Sequence, residues 1–218
     1  MFPERQEVLE SIVKGIERAQ KNYKQACETL PCEAPEYLTT VNIFQSLLRI
    51  KALENSIVLE MKASEVAESK IRGCKLQNSR VGKLCHCDIV LWSGIDKRRA
   101  VIEVKKYAQD CYEDLGRVLQ LLRTTPSMYY AVLAGCVQEE IKNDNALETK
   151  RGIVKELETL LEDIREQAGN KGYSGIELVP ENVTMKIKSL ETEGDNGEVK
   201  YWVWRPVCFV IPNKKVKQ

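Results

Sequence analysis

Three stretches in the middle of the chain are apolar on both faces, and they constrain the fold more than any other feature. They are Leu84–Trp92 (LCHCDIVLW), Ala100–Lys105 (AVIEVK) and Met128–Val137 (MYYAVLAGCV). Aliphatic and β-branched runs of this length, bounded by turn residues, are the pattern of strands covered on both sides. Ser93 to Arg99, with Gly94, supplies a turn, so the first two read as an antiparallel hairpin in the sheet centre.

Helical periodicity surrounds them. From Pro3 to Leu30, Val8, Leu9, Ile12, Val13, Ile16, Ala19, Tyr23 and Ala26 recur at the spacing of one long amphipathic helix. Pro31 and Pro35 punctuate the chain, and Glu36 opens a second helix to about Ala52. Ser56–Ala63 reads as a strand, followed by a solvated stretch to Arg80. Tyr107–Arg123 places Cys111, Leu115, Val118, Leu119 and Leu122 on one helical face, stopped at Pro126. Asn145–Ala168 is again helical, and strands Val183–Leu190 and Val199–Val210 flank a GDNG turn.

The class expected is mixed α/β: a central mixed sheet of about four strands flanked by helices. The core order is helix, strand, strand, strand, helix, strand over about residues 36–137. A long N-terminal helix (3–30) precedes it and a helix plus β-hairpin (145–211) follows it, all in a single domain over 1–218.

Charge is nearly balanced, 33 Lys+Arg against 32 Asp+Glu, so any polyanion must be held by a local patch. The longest apolar runs fall far short of the roughly 20 residues of a membrane span, so no membrane partner is expected. Met1 to Lys14 has no apolar signal core, and eight cysteines do not make a disulfide scaffold of a chain this long, so a cytoplasmic location is expected.

Against this apolar background three charges stand out. Glu103 and Lys105 share a face if their strand alternates regularly, and the turn near Gly94 can bring Asp88 beside Glu103. Charged groups inside a central strand cost free energy unless they are paired or bind metal. Two carboxylates with open positions suit a hard cation such as Mg²⁺, and Lys105 beside it could orient or help deprotonate water and offset charge on phosphate. The bland alternative is a solvated strand edge with alternating charges.

Asp88 followed by Glu103-Val104-Lys105, within this order of elements, resembles the PD-(D/E)xK nuclease superfamily, which includes restriction endonucleases and Holliday-junction resolvases. The likeness covers roughly Glu36 to Val137. It implies a Mg²⁺-dependent phosphodiesterase in which Mn²⁺ can substitute. Asp88, Glu103 and the Val104 carbonyl would be metal ligands, and Lys105 would assist the water. It further implies a glutamate from the preceding helix, here Glu36 by preference, with Glu54 and Glu60 as alternatives. DNA is the expected partner, endonucleolytic cutting the expected activity, and a symmetric homodimer would cut two strands. The rival is a nuclease-fold nucleic-acid-binding or assembly module without turnover. Two departures from the family pattern are Cys87 in place of proline before Asp88, its side chain expected to face away from the metal, and Gln109 and Tyr112 too close for the Gln-x-x-x-Tyr pattern of exonuclease-like relatives.

Further residues carry weaker readings. Arg72, Lys75, Arg80 and Lys83 could grip phosphates from the loop before the Asp88 strand, helped by Arg117 and Arg123. His86, the only histidine, is expected on the Asp88 face, where it could touch nucleic acid or be packed. Cys74, Cys85, His86 and Cys87 are poorly arranged for zinc. Trp202 and Trp204 share a strand face, for packing or for stacking on bases. The first helix, or that of Ile153 to Ile164, could form a dimer seam or simply cover the core.

Overall fold

In the computed structural model the residues described are 2–27, 33–66, 86–94, 97–141, 146–179, 188–193 and 199–213. The first periodicity becomes α1 (Arg5–Cys27) and the second α2 (Glu36–Leu47), after which the chain turns through a short 3₁₀ segment, Lys51–Leu53. Strand β1 (Ile57–Lys62) leads into one turn of helix, α3 (Ala63–Val66). The expected hairpin is β2 (His86–Ser93) and β3 (Lys97–Tyr107), with Gly94 at φ +68° in the turn, a left-handed backbone that favours glycine. Helix α4 (Cys111–Thr124) crosses over to β4 (Tyr130–Glu140), and α5 (Ala146–Gly169) precedes β5 (Glu177–Val179), β6 (Lys188–Glu193) and β7 (Val199–Pro212).

Among the described residues one mixed sheet holds seven strands, ordered β1-β2-β3-β4-β7-β5, with β6 also pairing β7. The expectation of about four strands is therefore corrected. The late hairpin is no appendage, because β4 is apolar on both faces and needs a partner on its open edge. β7, buried from Val203 to Ile211 and apolar there apart from Arg205, supplies it along its full length, from Tyr130↔Pro212 to Glu140↔Trp202. The three-residue β5 is too short to show in a sequence pattern. Among the described strands only β3 and β4 pair in parallel, joined by the α4 crossover.

Helices cover both faces. On one side, Val8, Leu9, Ile12 and Ile16 of α1 and Ile43 and Leu47 of α2 pack on Ile89, Ile102, Val104, Val132 and Val210. On the other, Leu115, Val118 and Leu122 of α4 and Ile153, Leu157 and Ile164 of α5 pack on Val90, Val101, Leu133, Val207 and Phe209. The apolar faces of α1 and α5 thus pack on the sheet, one of the two roles the sequence allowed them. The two helices α1 and α2 touch closely at Gly15, where a Cβ would lie 2.5 Å from the Ile43 Cα. No helix among the described residues is long and apolar enough to cross a membrane.

Candidate metal and phosphate site

The site lies where the β2–β3 ladder ends. Their pairing runs from Ser93↔Lys97 to Ile89↔Ile102 and stops there, although both strands continue. On the other side of β2, pairing with β1 includes Leu59↔Ile89 and Met61↔Cys87 but skips the position between them. Extending these registers by one residue puts Glu60, Asp88 and Glu103 in a single cross-strand row. Like charges placed so oppose folding unless a cation joins them.

Asp88 turns into the gap rather than to either face. Its Oδ2 accepts the Val104 N–H at 2.6 Å, replacing the lost ladder bond. Glu60 beside it has φ +52°, a strained value for a non-glycine residue. The alternation of β2 breaks at this point: Ile89 lies in the α1/α2 core, yet Cys87, two residues away, lies in the α4/α5 core. The expectation that Cys87 faces away from the site is corrected. Burial chiefly, then the charge of Glu103, pushes its thiol well up.

Glu103 is fully buried, and Arg117 of α4 reaches over it, Nη2 2.8 Å from Oε2. Neither carboxylate oxygen has a well-formed hydrogen bond among the described residues, although the Asp88 backbone N–H lies near enough to favour the ionised form. Burial pushes Glu103 up to about 8. Arg117 opposes the shift, while Asp88 and Asp114 add to it. Burial likewise lifts Asp88 to about 6, against the Val104 amide and with the charge of Glu60.

Asp114 completes the cluster. It lies 3.0 Å from Arg117 and 3.2 Å from Lys105, whose Nζ is also 3.9 Å from Glu36 at the start of α2. Burial alone would lower the Lys105 pKa, but Asp114, Glu36 and Asp88 outweigh it and raise it. Lys105 therefore stays charged, which suits a point charge for phosphate and disfavours a general base.

Just past Lys105 the β3–β4 register shifts: Val104↔Ala134 is followed by Tyr107↔Cys136, three steps against two. This bulge sends Lys106 and Tyr107 to the α2 side, where both hold Glu33, at 2.6 and 2.9 Å. Gly135 lets the bend close, since a Cβ there would lie 3.1 Å from Ala108 backbone.

The structure thus brings Asp88, Glu103 and Lys105 to one end of the sheet, with Glu36 at its rim and Glu60 beside Asp88. Glu54 is exposed in the turn after the 3₁₀ segment, and His86 is exposed at the start of β2. Arg117, a candidate for gripping nucleic acid, pairs with Glu103 at 2.8 Å and with Asp114 at 3.0 Å. Arg72, Lys75, Arg80, Lys83, Cys74 and Cys85 lie outside the described residues. Asp114 was missed. Its signal was an acid in the first turn of the helix after Glu103-Val104-Lys105, three residues before Arg117.

As to ligands, among the described residues no group of three or more His, Cys, Asp or Glu side chains is gathered closely enough to hold a metal ion. The chemistry of the pair Asp88 and Glu103 still fits a hard cation. Mg²⁺ commonly takes one or two carboxylates and completes its shell with water and phosphate, and Glu103 offers buried oxygens lacking a well-formed hydrogen bond. No protein-family model, no curated protein and no solved structure matches the chain.

Proposed function

We propose that the protein is a Mg²⁺-dependent nuclease of the PD-(D/E)xK kind, hydrolysing phosphodiester bonds in DNA endonucleolytically. The observation that carries the reading is the pair of half-buried Asp88 and fully buried Glu103, at facing positions where β2 and β3 part, with Lys105 charged near them. A buried acid row of this kind costs stability and gains most from a divalent cation. The helix–strand–strand–strand–helix–strand order α2, β1, β2, β3, α4, β4, with α3 interposed between β1 and β2, agrees with the resemblance.

In this reading Asp88 and Glu103 hold the ion, with the Val104 carbonyl as a further donor. Mg²⁺, or Mn²⁺ in its place, supplies Lewis acidity toward the phosphate and acidifies water. Lys105, kept cationic by Asp114 and Glu36, offsets the charge that grows on the phosphate oxygens. Arg117 must yield part of its hold on Glu103 when a cation or phosphate enters, and its guanidinium suits a phosphate oxygen once released.

One observation favours the rival, a nuclease-fold binding or assembly module without turnover: the Arg117 guanidinium already gives Glu103 a counter-charge. The experiment that separates them is cleavage of plasmid and oligonucleotides in Mg²⁺ or Mn²⁺ by the wild type and Lys105→Ala. Cutting by the wild type, lost in the variant with binding retained, supports the enzyme. Binding without cutting by the wild type supports the module.

A further inference from the structure

Past the bulge in β3 lies an open pocket of about 330 Å³, lined by Tyr107, Gln109, Asp110, Gln138 and Trp202. It falls within the size range of small-ligand sites, about 300–1,000 Å³. Its walls come from the end of β3, the bend before α4, and the matching ends of β4 and β7. The sequence put Trp202 and Trp204 on one strand face, and the unbroken β7 ladder keeps them there at different depths. Trp204 is 7% exposed in the α1/α2 core, whereas Trp202 lines this cavity.

The polar groups of the cavity are unevenly satisfied. The Trp202 indole N–H has no acceptor and the Gln138 Oε1 has no donor among the described residues, although both atoms are buried. The amide of Gln138 helps hold Glu33, which leaves that oxygen over. Asp110, at the N-terminus of α4, makes no side-chain capping bond there, so its carboxylate is a further acceptor. Two aromatic rings, one spare donor and spare acceptors match a planar nitrogen heterocycle that presents donors and acceptors along one edge.

We propose that this cavity binds a single nucleobase, stacked against Trp202 and read along its edge by the indole N–H, Gln138 and Asp110. Position agrees with chemistry. Tyr107 is two strand residues beyond Lys105, roughly 7 Å along β3, and four beyond Glu103, at most roughly 13 Å, so the cavity is within reach of a short strand whose phosphate lies at the acid row. The inference extends the nuclease reading by assigning it a base-recognition subsite, but base binding here needs neither metal nor turnover.

The test is isothermal titration calorimetry of the full chain in EDTA. The ligands are four nucleoside 5′-monophosphates, inorganic phosphate, a short single-stranded oligonucleotide and the matching duplex. Expected is saturable binding of at least one monophosphate but not of phosphate, weakened roughly tenfold by Trp202→Ala and by Gln138→Leu. The oligonucleotides identify the source: a single strand bound more tightly than both monophosphate and duplex marks an unpaired base in a strand, and a monophosphate bound best marks a free nucleotide. No saturable binding, equal binding of phosphate, or binding unchanged in both variants overturns the proposal. Base binding without metal-dependent cleavage would retain this site and discard the nuclease reading, and the converse result would do the opposite.

Discussion

The two halves of the sheet are built on opposite principles. From β4 to β7 the ladder is unbroken over eleven residue pairs, and Ala131 to Ala134 faces Cys208 to Ile211 with every side chain buried. From β1 to β3 the pairing skips at Glu60 and Asp88, stops beyond Ile89↔Ile102, and leaves a positive φ at Glu60. The first half follows the rules of a stable sheet. The second departs from them at the residues that carry charge, which is where function is expected to be bought with stability.

If that contrast is right, substitutions in the two halves should differ in kind. Phe209→Ala, in the fully buried β7 wall, should lose about 3–5 kcal/mol of unfolding free energy in denaturant titration while cleavage per folded molecule holds. Loss of rate beyond the unfolded fraction would merge the two halves. Glu103→Gln should do the reverse, lowering Mg²⁺-dependent cleavage on the order of a thousandfold, about 4 kcal/mol of barrier, while thermal stability is kept or raised. Collapse of the fold in that variant would make Glu103 a structural residue.

Gly15→Ala tests the scaffold from its helical side, and should cost about 1–3 kcal/mol because the new methyl meets Ile43 backbone. Unchanged stability would mean that α1 is loosely seated.

A smaller effect should appear with pH. Glu103 rises from the usual 4.5 to about 8 in the fold, so the folded protein holds that proton more tightly than the unfolded chain. The stabilisation is therefore fully present below about 4.5 and is lost as pH rises toward about 8, with a slope of at most about 1.4 kcal/mol per unit. Asp88 adds the same sign between 3.8 and about 6. Melting curves in EDTA should show this fall, and Glu103→Gln should flatten it above about pH 6. A wild type as stable at pH 8 as at pH 5 would mean the acid row is already neutralised by Arg117. Smallest of all, Asp88→Asn keeps an oxygen for the Val104 N–H, and should change stability by less than about 1 kcal/mol while cleavage falls. A larger loss of stability would show that the charge of Asp88 is itself structural.

Much of this was legible in advance. Apolar residues on both faces of Leu84–Trp92, Ala100–Lys105 and Met128–Val137 identified the central strands, and helical spacing identified α1, α2, α4 and α5. Lone charges in such strands singled out Asp88, Glu103 and Lys105. Less legible were the seven-strand count, since β5 is only three residues long, and the role of Asp114, whose partner Arg117 reads equally well as a surface cation.

What the sequence determined by itself was the periodicity: which segments are strands or helices, and which faces they must hide. What only the tertiary structure decided was the direction of the charged side chains. Alternation by twos holds only while a ladder is regular. The skip at Glu60 and Asp88 and the bulge after Val104 depend on backbone hydrogen bonds to neighbouring strands that lie far away in the chain. Those breaks turn Asp88 to the Val104 amide, bring Cys87 to Glu103, and send Lys105 and Lys106 to different partners.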